Sequence, residues 1–124
     1  MITLITGCMG SGKTAHLISL AEQVPAENRL VLANKKHNGY FVPTRYIESR
    51  NNKRIQCTNA LFSERMLIEI SDSVTHIFID EGQWVNKDRP GYAKSLSDKG
   101  IVIYVSLLDR DYTGREFDMY KKWA

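Results

Sequence analysis

Eight residues limit the folds open to this chain more than any others: GCMGSGKT at positions 7–14. The apolar run ITLIT precedes them, and Thr14, Leu17, Ile18, Ala21 and Val24 follow at helical spacing as far as Pro25. Strand, glycine-rich turn and helix in that order let successive backbone N–H groups turn inward at a helix N-terminus. The aligned peptide dipoles there also favour an anion. In parallel α/β sheets ligands bind beyond the carboxyl ends of the strands. The other strands of such a sheet are therefore expected to bring their chemistry to the same edge.

One of them is plain in HIFIDEGQW, residues 76–84. Ile77, Phe78 and Ile79 form a short apolar run with β-favouring side chains, and the run stops at two adjacent carboxylates, Asp80 and Glu81. Two solvated acids at a strand end would be the bland alternative, which the upstream glycine loop disfavours. That loop satisfies the P-loop pattern in full: Gly7 and Gly12 bracket it, and Lys13 and Thr14 follow. The backbone of Gly7, Cys8, Met9, Gly10, Ser11 and Gly12 is expected to cradle phosphate oxygens, with Lys13 reaching the β and γ phosphates of ATP. The Thr14 hydroxyl ligates Mg²⁺, and Asp80 anchors the ion from the other side through water. Gln83 completes the cofactor-binding set. Glu81 stands one residue beyond the metal acid, where it can take a proton from an attacking hydroxyl. A substrate alcohol would make the protein a kinase and water an ATPase; these residues alone leave both open.

The 124 residues suffice for one domain with a real core, over 1–124, and show no repeats or linkers. Arg29–Ala33 reads as a second strand, Arg54–Cys57 as a short one, Asn59 to about Ile70 as a helix with Leu61, Leu67 and Ile68 on its apolar face. A strand is expected at 75–80, a helix at 91–99 closed by Gly100, and a buried strand at 101–108. Strands alternating with helices predict an α/β fold: a P-loop NTPase-like parallel sheet flanked by helices on both faces. Residues 34–53 lack a sustained period and read as a long loop. Lys35, Lys36, Arg45, Arg50, Lys53 and Arg54 face only Glu48 there, more than the whole net charge of +3, which suits a cover attracting a nucleotide.

Cys8 and Cys57 are too few for a disulfide framework or a zinc site, and His16, His37 and His76 lack ligand-like spacing. ITLIT is too short and uncharged for a signal peptide, and no stretch nears the roughly 20 apolar residues of a membrane span. The expectation is a cytoplasmic protein with no membrane partner and no specific nucleic acid. Tyr120 and Trp123 suggest a terminal helix docked by its aromatic face.

Four segments in order resemble the zinc-containing, P-loop type of thymidine kinase. GCMGSGKT shares Met9 and Ser11 with that family's loop, and ESRNNKRIQCTN (48–59) is similar to its acidic-x-Arg stretch. IDEGQW matches its IDEGQF, and LLDRDYTGREF (107–117) resembles the segment walling its nucleoside pocket. The resemblance implies Glu81 as general base, with Lys13 and Arg50 on the phosphates. It also implies a nucleoside pocket of Met9, Trp84, Leu108, Tyr112 and Phe117. The chain departs from that pattern at Thr58, where the family usually has His, and at Glu116, where it usually has Pro. No counterpart of the family's zinc ribbon or lasso loop follows Phe117 in this sequence, so the expectation is a short form binding ATP and Mg²⁺ but no zinc. The expected reaction is ATP-dependent phosphorylation of the 5′-hydroxyl of thymidine or a related deoxynucleoside. The rivals are a nucleotide-binding relative without kinase activity and a P-loop ATPase of the filamentous-phage assembly type. A homo-oligomer is compatible with every reading.

Overall fold

The strand that ends in the two acids is buried on both of its faces, and the architecture follows from that. In the computed structural model, which describes residues 1–7, 12–49, 52–57, 72–83, 88–108 and 118–123, Ile77, Phe78 and Ile79 are all fully buried. Ile77 and Ile79 point into one apolar cluster and Phe78 into another, as the period-two alternation of a central strand requires.

In chain order the elements are β1 (Ile2–Gly7), α1 (Lys13–Glu22), a 3₁₀ turn (Ala26–Asn28), β2 (Arg29–His37) and β3 (Tyr40–Pro43). Then come β4 (Tyr46–Glu48), β5 (Arg54–Gln56), β6 (His76–Asp80), α2 (Arg89–Asp98), β7 (Val102–Leu108) and α3 (Asp118–Trp123). The main sheet has the order β1-β7-β6-β2-β3. Its first four strands are parallel, while β3 is antiparallel at the edge. On one face Leu17, Ile18 and Ala21 of α1 pack against Val31, Ala33 and Phe78, joined by Ile47, Ile55 and Cys57 from the β4–β5 hairpin. On the other, Ala93 and Leu96 of α2 and Trp123 of α3 cover Leu32, Ile77, Ile79, Ile103, Val105 and Leu107. The expected parallel sheet with helices on both faces is what forms, and α3 docks through Trp123 as its aromatic pattern suggests. Arg29 opens β2 by donating Nη1 to the carbonyls of Ala21 (2.9 Å) and Val24 (3.0 Å). It thereby ties the end of α1 and the turn after it to the start of β2.

The expected loop at 34–53 is a correction. β2 continues to His37, turns through Asn38 (φ 49°) and Gly39 (φ 82°), and returns as β3 with His37 opposite Tyr40. Two left-handed residues between paired strands are what the Asn-Gly dipeptide supplies to a two-residue hairpin. At the sheet edge this hairpin buries too little for a hydrophobic period to show, and Tyr40 is 74% exposed. β4 and β5 form a second hairpin, with Ile47 opposite Ile55 facing α1. The helix expected at 59–70 lies outside the described residues. The predicted helix at 91–99 starts two residues earlier, with Pro90 in its first turn, and ends before Gly100 in left-handed backbone (φ 99°). No helix among the described residues is long and apolar enough to cross a membrane.

Candidate active site

Parallel pairing sets the site at the carboxyl ends of the strands. The register puts Gly7 opposite Leu108 and Ala33 opposite Asp80, so the tips of β1, β7, β6 and β2 reach one edge. Here α1 begins. Its N-cap, Gly12, is left-handed (φ 84°) and offers no capping side chain, so no side-chain cap satisfies the first N–H groups of the helix. A side chain's first carbon at Gly12 would meet nothing within 4 Å among the described residues, so it is the left-handed backbone that suits glycine here. A cavity of about 330 Å³ opens between this helix start, the end of β2, β4 and the acids. Thr14, Asn34, Lys35, Tyr46, Asp80 and Glu81 are among its walls.

The two carboxylates live in different surroundings. Asp80 is 4% exposed, and its pKa is raised from 3.8 to about 6, by burial first and by the Glu81 charge second. The nearby Ser106 hydroxyl, the Glu81 backbone N–H and the Lys13 charge pull it part of the way back. Glu81 is half-buried, and its backbone is left-handed (φ 56°), an uncommon conformation for a residue with a side chain. Four hydrogen bonds around it hold this turn. Gln83 Nε2 donates to Glu81 Oε2 (2.5 Å), and the Leu108 N–H donates to Gln83 Oε1 (3.2 Å), so one buried amide joins the carboxylate to the end of β7. The Gly82 N–H donates to the Ser106 carbonyl (2.9 Å), and Trp123 Nε1 donates to the Gly82 carbonyl (2.9 Å).

Three buried oxygens at this edge, Asn34 Oδ1, Asp80 Oδ1 and Ser106 Oγ, have no hydrogen-bond partner in the protein. Ser106 thus acts on Asp80 through its dipole without forming a hydrogen bond of good geometry. Among the described residues no three His, Cys, Asp or Glu side chains converge on a metal position. An ion that keeps much of its water and takes few protein oxygens is nevertheless suited to orphaned acceptors beside Thr14, which is the habit of Mg²⁺.

Of the residues expected from the sequence, Thr14, Asp80 and Glu81 share the cavity, and Lys13 is buried close enough for its charge to act on Asp80. Gly7 ends β1 and Gly12 starts α1. Gln83 directs its amide to Glu81 and Leu108, and Leu108 is buried at the tip of β7. Cys8, Met9, Gly10, Ser11, Arg50, Trp84, Tyr112 and Phe117 lie outside the described residues. The basic residues divide: Lys35 lines the cavity, Lys53 Nζ meets Ser19 Oγ (3.3 Å), and the Arg54 guanidinium lies 3.6 Å over the Tyr46 ring. Asn34, Tyr46, Ser106 and Trp123 were not singled out by sequence reasoning as site residues. Only the Asn-Gly turn, which extends β2 past Ala33, could have signalled Asn34. A larger cavity, about 470 Å³, lies at the opposite end of the strands beside Asn28, His76, Phe78 and Tyr104, far from the paired acids.

The profile of the thymidine kinase family matches residues 1–123. The chain belongs to that family. Thymidine kinase of Mycoplasma capricolum subsp. capricolum is 29% identical over 121 residues, covering 94% of this chain and 58% of its own length. That of Mesoplasma florum is 28% identical over 130 residues, with 94% and 60% covered. That of Mesomycoplasma hyopneumoniae (strain 7448) is 31% identical over 122 residues, with 94% and 64% covered. The chain spans about three-fifths of the length of these thymidine kinases.

Proposed function

We propose that this chain is a nucleotide-binding domain that transfers the γ-phosphoryl group of ATP to the 5′-hydroxyl of thymidine or a related deoxynucleoside. The observation that carries the reading is the division between neighbouring acids. Asp80 is buried beside Thr14 and Lys13, whereas Glu81 is half-exposed in the same cavity and held by Gln83. The open first turn of α1 and Lys13 bind the phosphates. Thr14 and Asp80 hold Mg²⁺, which when bound offsets the charge on those phosphates. Glu81 takes the proton of the 5′-hydroxyl as its oxygen bonds to the γ phosphorus, and the bond to the β-bridging oxygen breaks to release ADP. Gln83 keeps the carboxylate aimed while this happens. Arg50 on the phosphate side and Met9, Trp84, Leu108, Tyr112 and Phe117 around the base are proposed on the family resemblance.

A panel of nucleosides incubated with ATP and Mg²⁺ tests the reaction. Phosphorylation of a deoxynucleoside is expected, and ATP turnover that ignores every nucleoside would refute the kinase reading. Lys13→Ala should weaken ATP binding sharply in calorimetry, whereas Glu81→Gln should abolish transfer and leave ATP affinity intact. Equal loss of ATP binding in both variants would contradict the assigned roles.

A further inference from the structure

We propose that Ser106 is a further positioning residue of the nucleotide site, its hydroxyl donating to the Asp80 carboxylate from behind and aiming that carboxylate at the divalent cation. The inference rests on the metal part of the proposed function and goes beyond it in naming the group that stands behind the metal acid.

Strand register brings the two side chains together. β6 and β7 run parallel, with Phe78 opposite Tyr104 and Ile79 opposite Val105, so Asp80 and Ser106 are the next residues on neighbouring strands. Phe78 and Tyr104 belong to the cluster on the α1 side, their ring centroids 5.4 Å apart. Two residues further along each strand the side chains return to that face. Asp80 and Ser106 therefore lie side by side on it, near enough for the hydroxyl to favour the charged form of the carboxylate.

Their access to the cavity differs. Asp80 is 4% exposed and forms part of the cavity wall, whereas Ser106 is 0% exposed and is not among the residues of that wall. Neither a nucleotide nor the water around an ion can touch a hydroxyl placed there, so it acts only through another protein group. Ser106 Oγ has no hydrogen-bond partner in the protein, and neither has Asp80 Oδ1. A serine hydroxyl turns to suit its surroundings, and an ionised carboxylate is the stronger kind of acceptor. A small rotation of either side chain closes the bond, which fixes the carboxylate's orientation and leaves its outer side for the hydration shell of the ion. The Ser106 backbone is already held, because its carbonyl accepts the Gly82 N–H at 2.9 Å. One residue of β7 thus stands behind both acids, its carbonyl against the turn that carries Glu81 and its hydroxyl against Asp80.

The test measures ADP dissociation constants by calorimetry with Mn²⁺ and with a chelator, for the original protein and Ser106→Ala, alongside their thermal midpoints. This variant removes the hydroxyl and keeps the carbonyl that holds Gly82. Losing the partner behind a metal-binding carboxylate lowers metal affinity about 10- to 100-fold. Because Asp80 holds the ion through water, Ser106→Ala should lose a factor at the lower end, about 10-fold, from the Mn²⁺-dependent gain in ADP affinity. Metal-free ADP affinity should not change. Nor should the ligand-free midpoint fall, since the hydroxyl has no bond to lose in the ligand-free fold. Ser106→Cys, close in shape but a weak donor, should lose Mn²⁺ gain in the same sense, and it carries the test if Ser106→Ala does not fold. An unchanged Mn²⁺ gain overturns the proposal. So does a loss that is equal with and without metal, which would make the hydroxyl a packing contact of the phosphate site. ADP binding by the original protein that ignores Mn²⁺ would instead refute the metal reading of Thr14 and Asp80, and this inference with it.

Discussion

Asp80 shows how a single side chain can work against the fold that carries it. Its pKa stands at about 6 in the folded chain against an ordinary 3.8, chiefly because burial penalises the charged form. The folded state therefore binds this proton more tightly than the unfolded chain does. The resulting stability is fully present below pH 3.8 and is lost as pH rises through 6. At neutral pH the cost is about 3 kcal/mol, at order of magnitude. Asp80→Asn should accordingly stabilise the ligand-free protein at pH 7.5 by up to about that amount and change little at pH 3.5, in urea denaturation at both values. A variant less stable than the original at pH 7.5 would show that the carboxylate is stabilised by contacts that outweigh its burial. The acid pair itself was legible in the sequence, because the apolar run that stops at two carboxylates follows a glycine-rich loop of the phosphate-binding pattern. The contrast between the two acids was not. It depends on Ser106 from a strand 26 residues away, and on Gln83 turning back to Glu81.

The turn after β6 is the element on which the proposed chemistry depends, and it is fixed from the face opposite α1. A side chain's first carbon at Gly82 would come within 2.5 Å of Val105 Cγ1, while the Gly82 carbonyl accepts the Trp123 indole N–H. Gly82→Ala should cost about 1–3 kcal/mol through overpacking. Trp123→Phe should cost about 1–3 kcal/mol, mostly for leaving a buried carbonyl unpaired. If the turn positions Glu81, both variants should also lower the rate of phosphoryl transfer at saturating ATP while leaving ADP affinity nearly unchanged. Parallel losses of ADP affinity would mean that the turn supports the phosphate site instead. At this scale the sequence is informative where burial writes a pattern. β1, α1, β6, α2 and β7 could all be expected within about two residues, because each presents apolar side chains to a core. β3 and β4 could not, since the edge hairpin is built by turn chemistry at Asn38–Gly39 and β4 buries only Ile47.

Across the whole molecule, one sheet separates two apolar clusters, and the β4–β5 hairpin closes the cluster on the α1 side. Cys57 is the rivet of that closure. It is free and buried, and its N–H donates to the Arg45 carbonyl at 2.7 Å. Burial, and secondarily the Asp80 charge, push its thiol up to about 12. At pH 8 the reactive thiolate is then a fraction on the order of 10⁻⁴, so alkylation must wait for the hairpin to lift away from α1. Tyr46, Ile47 and Glu48 of the same hairpin wall the cavity proposed to take the nucleotide, which ties that lifting to whether the cavity is filled. In a Cys8→Ser background, iodoacetamide should label Cys57 slowly, and saturating Mg·ADP should slow it further; labelling as fast as in urea would contradict the packing. The thiol behind the cavity wall is thus a built-in clock, ticking once for each time the cover of the site comes loose.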